Sequence, residues 1–382
     1  MKTRVGIVGC GNICDRYFAG AARSELVEIV ACSDIIFSVA QAKAELHSVK
    51  ALTFEQMLES NEIDIILNLT IPAVHVEIGL AALAAGKHVY SEKPLGTSLD
   101  EARYLLEAAE KANLRIGCAP DSFFGASHQA ARFALDRGVV GKILSGAICI
   151  ATRGMEQWHH SPDFFYKKGG GPLLDMGPYY LAQLINILGP VKSLISYPCT
   201  GFPTRTIETG PRAGEKISVD IATTINGVMT FHSGAVVSVT ASWDVWKHER
   251  NHIELYGELG TFINPNPVFY NGVPRFSRGN QAWEALSIDA FPFGIPTRES
   301  LYDGMVADYR MVGLVDMALA IKEGRPHRAS GEIALHIFEI LDGLEKSSGQ
   351  EIILETTCER PEPIMHGAGE ETLSKSCDFN SQ

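Results

Sequence analysis

From the first residues to about Pro120 the chain alternates short apolar runs with stretches in which apolar residues return at helical spacing. The runs at 4–8, 27–32, 63–69, 87–91 and 114–118 predict strands, and 12–23, 38–46, 54–60, 74–85 and 98–111 predict the helices between them. Such alternation builds a parallel sheet with helices on its faces. The run 63–69, with Asp64 and Asn68 inside it, is nearly apolar on both faces, as a strand buried between two helix layers requires. Ser98 stands where it caps the last of these helices, with Glu101 placed to complete a capping box.

Beyond Pro120 the pattern changes. A helix is expected over 126–137, and long β-type runs follow at 142–152, 191–199, 217–231, 235–245 and 251–263. Successive strands without intervening helices favour an antiparallel sheet. His232, Ser233 and Gly234 predict one of its turns, Gly257 with Gly260 another. Late helices are expected at 304–323, stopped by Gly324, and at 331–346. The reading is a first domain over 1–120, a second over 121–357, and an irregular polar tail over 358–382.

With 382 residues, 46% of them hydrophobic, the chain has enough apolar material for two cores. Its 33 lysines and arginines against 45 aspartates and glutamates give a net charge of -12, which excludes a general binder of nucleic-acid backbone. No apolar run approaches the roughly 20 residues of a membrane helix. The apolar run behind Lys2 and Arg4 is broken by glycines and carries no cleavage pattern, so no signal peptide is expected. Eight cysteines are scattered without CxxC pairs and read as buried thiols in a reducing, cytoplasmic setting. His159, His160 and Asp163 lack a second cluster, so no metal site is expected.

The candidate chemistry begins with VGIVGCGNICDRYFAGAA over 5–22, a strand, a glycine turn and a helix start. Gly9 permits the tight turn, Gly11 puts no Cβ in the way of a pyrophosphate, and the N–H groups from Asn12 and Ile13 onward can face phosphate charge. Cys14 stands at the third glycine position; the alternative is a turn that merely closes a strand. Asp34, after the second strand, is placed to accept from both ribose hydroxyls and to repel a 2′-phosphate, favouring NAD over NADP; otherwise it is an ordinary turn residue.

SEKPL puts Lys93 at the carboxyl edge of the sheet, where its ammonium can bind a substrate oxygen and stabilise alkoxide character, or simply pair with Glu92. In GGGPLLDMGPYY, Pro178 is expected to open a helix. Asp175 and Tyr179 are four apart and share a side if the helix reaches back to Asp175; otherwise the carboxylate sits ahead of the helix. The alternative is a capping aspartate and core tyrosines. Arg153, Trp158, His159, His160 and Tyr166 combine aromatic faces with donors, which suits a polyol, or else form a surface loop.

VGIVGCGNI, SEKPL and GGGPLLDMGPYYL together resemble the glucose-fructose oxidoreductase, inositol dehydrogenase and MocA family, a likeness running to about residue 355. The resemblance implies an α/β Rossmann domain, an α+β domain with a large open antiparallel sheet, and reversible oxidation of a sugar or cyclitol hydroxyl with NAD or NADP. It also implies a cis peptide before Pro94. Lys93 matches the lysine of the family's EKP motif, beside Glu92 in the cofactor loop, and Asp175 matches the aspartate of D-x-G-x-H.

Tyr179 stands where histidine is usual, a phenol of reference pKa about 10 in place of an imidazole of about 6.5. Either Lys93 makes it a competent base, or Lys93 takes the proton and the tyrosine positions the substrate. Asn68, Thr70, Pro72 and His75 resemble the loop used around the nicotinamide ribose, and the cluster from Arg153 to Tyr166 falls where the family lines its substrate pocket. The expected function is NAD-dependent dehydrogenation of a sugar, sugar derivative or cyclitol. Glycoside cleavage through transient oxidation and a non-catalytic nucleotide-sensing regulator are the alternatives. An open apolar sheet also leads us to expect a homo-oligomer.

Overall fold

The structure, a computed structural model, describes residues 2–300 and 303–364. It resolves into two compact units. The first comprises Met1–Ala126, Asp289–Leu335 and the described part of Pro361–Gln382, and the second Ser127–Ile288 with His336–Arg360. Of the expected tail, residues 365–382, Cys377 included, lie outside the described residues.

The first unit opens with β1 (Thr3–Val8), α1 (Cys14–Ala22), β2 (Val27–Ser33), α2 (Phe37–His47), β3 (Lys50–Ala51) and α3 (Phe54–Glu59). It continues through β4 (Ile65–Asn68), α4 (His75–Ala84), β5 (His88–Ser91), α5 (Leu99–Lys111) and β6 (Ile116–Cys118). The strands form a six-stranded parallel sheet in the order β3-β2-β1-β4-β5-β6. Every residue of β4 is buried: Ile65, Ile66 and Leu67 as two-sided apolarity requires, and Asn68 through hydrogen bonds of its amide. Ile66, Val89, Leu105 and Ile116 share one core, each worth about 1.5–3 kcal/mol on burial. Ser98 caps α5 through the Glu101 N–H at 3.3 Å, but the Glu101 carboxylate turns to the Thr97 hydroxyl, so the expected box is only half made. Because the strands are parallel, β1, β4 and β5 all deliver the residues that follow them to one carboxyl edge.

The second unit is built from α6 (Ala126–Asp136), β7 (Ile143–Ala151), α7 (Pro172–Leu188), β8 (Val191–Cys199), β9 (Thr204–Thr206), β10 (Lys216–Ser218) and β11 (Thr224–Phe231). Next come β12 (Val236–Ser242), β13 (Ile253–Gly257), β14 (Gly260–Asn264), β15 (Arg275–Arg278) and β16 (Glu284–Ala285). The chain goes on through a hairpin of β17 (Arg298–Ser300) and β18 (Gly304–Val306), then α8 (Val312–Glu323), α9 (Gly331–Lys346) and β19 (Ile352–Ile353). The expected helix over 304–323 therefore starts only at Val312, its first residues being spent on β18. Gly324, at φ 68°, ends it as expected.

Nine strands form the large sheet, in the order β16-β15-β14-β13-β7-β12-β11-β8-β19. It is antiparallel except at one pair: β12 runs parallel to β7, with Ser242 opposite Ala151. Ile148, Val239, Met229 and Leu194 are buried on the face that α7 covers, while Tyr197, Val236 and Tyr256 stand exposed on the other.

Candidate functional site

In the first unit the glycine turn is tied down before anything binds to it. Gly9 takes φ 99° and donates its N–H to the Ser33 carbonyl at 2.8 Å. A Cβ there would lie 2.7 Å from the Leu69 carbonyl, so only glycine lets β1 turn this close to the end of β4. Gly11 differs: a Cβ would meet nothing within 4 Å. Asn12 is exposed, and no side chain caps α1 at Ile13, which leaves the helix start to an external acceptor.

Asp34 carries more than sequence alone suggested. Its Oδ2 accepts the Cys10 N–H at 2.9 Å and its Oδ1 the Ile36 N–H at 2.9 Å, which joins the end of β2 to the middle of the turn. A carboxylate has about four acceptor sites, so two remain for ribose hydroxyls. Space beside Gly11, an uncapped helix start and an acid with spare lone pairs fit a dinucleotide.

The loop after β4 is held by its own side chains. The buried Asn68 amide donates to the His75 carbonyl at 3.1 Å, and its oxygen accepts the Thr70 hydroxyl at 2.6 Å. His75 is buried, with Nδ1 2.7 Å from the Pro94 carbonyl and Nε2 3.0 Å from that of Thr70. Asn68 and His75 thus shape the loop, while Thr70 is half-buried and Pro72 exposed.

Two residues past β5, Lys93 precedes a cis peptide to Pro94. Glu92 beside it accepts the Tyr17 hydroxyl at 2.7 Å on Oε1 and the Lys93 backbone N–H at 3.2 Å on Oε2. Burial, and then the Glu92 charge, push the Tyr17 phenol well above its ordinary range, keeping it a donor. Tyr17 was not among the sequence candidates. Its signal was its place on the buried stripe of α1, with Cys14, Phe18 and Ala21.

In the second unit α7 begins at Pro172, preceded by Gly171 at φ 107°. Pro178, expected to open the helix, lies inside it; Pro172 takes the first-turn place, where a missing N–H costs nothing. Asp175 is therefore helical, donating its N–H to the Gly171 carbonyl at 3.1 Å, and Tyr179 follows one turn later on the same side. Asp175 is half-buried and Tyr179 buried. A first-turn carboxylate is favoured by the helix dipole.

The cluster from Arg153 to Tyr166 divides into separate environments. Tyr166 is fully buried with Met155 and Trp243 and donates its hydroxyl to Glu156. Burial and that bond push its phenol up. Trp158 is 48% exposed, and the rings of His159 and His160 stack at 5.2 Å, His159 edge-on to Trp158. Arg153 lies 4.1 Å from the centre of the Trp246 ring and 5.0 Å from that of Phe202.

Beneath it Arg205, buried, pairs with Glu156 at 2.9 Å and with Asp244. Sequence alone gave no sign of Arg205, Glu156 or Asp244, because the parallel register of β7 and β12 is what brings the ends of these distant segments together. Among the described residues no group of His, Cys, Asp or Glu is arranged to hold a metal ion, and no helix is long and apolar enough to cross a membrane.

Residues 3–119 match the model of the oxidoreductase family with an NAD-binding Rossmann fold, and 128–263 match the GFO/IDH/MocA C-terminal domain. The chain belongs to the GFO/IDH/MocA oxidoreductase family. It is similar to a dTDP-3,4-didehydro-2,6-dideoxy-alpha-D-glucose 3-reductase of Actinomadura kijaniata, 32% identical over 82% of this chain and 93% of that one. It is also similar to the 1,5-anhydro-D-fructose reductase of Ensifer adhaerens, 25% identical over 74% of this chain and 81% of the relative. A levoglucosan dehydrogenase solved with NADH and L-sorbose superposes with a TM-score of 0.76 at 19% identity, covering 93% of this chain and 99% of that one. As a GFO/IDH/MocA protein the chain is an NAD-dependent oxidoreductase, its N-terminal match containing the glycine turn, Asp34 and Lys93 and its C-terminal match Arg153, Asp175 and Tyr179.

Proposed function

We propose that this protein interconverts a hydroxyl and a ketone on a sugar, sugar derivative or cyclitol, residues 1–120 holding NAD and 121–357 the substrate. The observation that carries the reading is the delivery of Lys93 to the same carboxyl edge of the parallel sheet as the glycine turn. Gly9, Gly11, Asn12 and Ile13 take the pyrophosphate, Asp34 the adenosine ribose, and Thr70 and Pro72 the nicotinamide side. Bound NAD supplies the acceptor for the hydrogen and electron pair leaving the carbinol carbon. Lys93 and Tyr179 move the hydroxyl proton, the ammonium stabilising charge on the substrate oxygen. Asp175 orients that hydroxyl.

The exposed Trp158, with His159 and His160, offers an aromatic face to the C–H side of a ring. The sugar names of the two curated relatives and the L-sorbose bound to the solved one support a carbohydrate. The same reading has the open face of the large sheet covered by a second copy of the chain.

The test is NADH formation across monosaccharides, glycosides, inositols and sugar acids, with NAD and with NADP. At least one compound gives NADH in stoichiometric amount with its ketone, faster with NAD. If protein that binds NAD oxidises none of them, the reading fails. The glycines give a second check. Gly9→Ala forces a side chain against backbone at positive φ and costs about 1–3 kcal/mol of stability. Gly11→Ala melts with wild type, since nothing in the protein resists its methyl, yet weakens NAD binding at least about tenfold. Unchanged NAD affinity in Gly11→Ala would remove the pyrophosphate from this turn.

A further inference from the structure

Trp246, Arg153, Phe202, Arg205 and Tyr166 form a ladder in which rings and guanidinium groups alternate, with successive separations of 4.1, 5.0, 4.9 and 5.6 Å. The two cations are not equally served. Arg205, the inner one, takes both carboxylates of the ladder: Glu156, which also receives the Tyr166 hydroxyl, and Asp244, which also receives the Thr223 and Thr224 hydroxyls at 2.8 and 2.5 Å. Arg153, the outer one, has no acid among the described residues, and its Nε and Nη1 are buried without an acceptor. A guanidinium stays charged at any working pH, and buried donors without acceptors are costly.

The backbone holds Arg153 in this state. It stands two residues past Ala151, whose parallel partner is Ser242, so Arg153 and Trp246 leave the same edge of the sheet. Gly154 turns the chain at φ 118°, where a Cβ would lie 2.5 Å from both Glu156 and Tyr166. The rings of Trp246 and Phe202 both pack against the Arg153 guanidinium, whose N–H donors point outward in its own plane. Phe202 and Trp246 are 41% and 71% exposed, placing the ladder's outer end at the surface of this unit.

We infer that Arg153 is the anchor for a carboxylate on the substrate, and that the sugar this protein takes is a sugar acid. The Arg153 guanidinium, with no carboxylate of its own among the described residues and with buried donors unpartnered, matches one carboxylate, which its planar fork meets in bidentate fashion. Trp246 offers its exposed ring to the apolar side of the same molecule. This rests on the carbohydrate reading above and narrows it.

The experiment measures binding to NAD-loaded full-length protein by titration calorimetry, pairing D-glucuronate with D-glucose, D-galacturonate with D-galactose, and D-gluconate with D-glucitol. NADH formation is followed on the same samples. At least one acid binds about tenfold or more tightly than its neutral counterpart. Arg153→Met abolishes that difference, and Arg153→Lys, which keeps the charge but loses the planar fork, restores part of it. Thermal melting of both variants verifies folding. If no acid is preferred, or if the preference survives in folded Arg153→Met, the inference is wrong. Arg153-dependent binding of acids without NADH formation would instead overturn only the dehydrogenase reading. Oxidation of neutral sugars alone would overturn only the carboxylate anchor.

Discussion

Lys93→Met lowers kcat on the physiological substrate by about 10²–10⁴-fold, a loss of about 3–5 kcal/mol of transition-state stabilisation, with NAD affinity little changed. Methionine keeps much of the side-chain length and removes the ammonium, so the loss reports charge rather than shape. Tyr179→Phe removes one hydroxyl from a buried ring and lowers kcat in the same direction. On the proposed reading both groups act on one proton, so the double variant is less impaired than the product of the single effects. Stopped-flow measurement of NADH formation with each variant decides the point. Wild-type turnover in both would remove these residues from the chemistry.

The parallel sheet was legible because two-sided burial leaves a mark on composition: Ile65, Ile66 and Leu67 of β4 are apolar in the sequence, and the strand is buried throughout in the fold. Direction in the second unit was not legible. Alternating side chains in 142–152 and 235–245 identify strands, but nothing in alternation says whether two distant strands run the same way, and β7 and β12 do. The helix carrying Asp175 starts earlier than expected, since Pro172 and Pro178 are equally good openers by composition and only the turn at Gly171 selects the first. Helical spacing of apolar residues extends the expected helix back to 304, whereas Gly304, Met305 and Val306 pair with β17.

Much of the candidate site shows the same division. Gly9, Asp34 and Lys93 follow strand ends and can be found by counting along the chain. Tyr17 and Arg205 act through partners distant in sequence, Glu92 for the first and Glu156 with Asp244 for the second. Such partnerships are products of packing, and single-sequence spacing carries no record of them.

The other large effect is on stability. Arg205→Met leaves Glu156 and Asp244 in a protein interior without their shared counter-ion, and costs about 3–5 kcal/mol. The penalty comes mainly from the charges left behind, so a double variant that also carries Glu156→Gln recovers part of it. Arg212 is the control. Its 2.5 Å pair with Asp163 has both side chains substantially exposed, at 35% and 43%, and Arg212→Met costs about 0–1 kcal/mol. Urea denaturation of the variants separates the two cases. Equal midpoints for Arg205→Met and Arg212→Met would show that the buried cluster is not holding this unit together.

Asp34 bears on attempts to re-engineer the protein. Its side chain is an internal strut, since the Cys10 amide hangs from it, and on the proposed reading it also selects the nucleotide. Exchanging it for a basic residue to admit a phosphorylated cofactor cuts that strut and slackens the turn in the same stroke. A successful redesign therefore comes as a pair of substitutions, one to welcome the new phosphate and one to give the orphaned amide another oxygen.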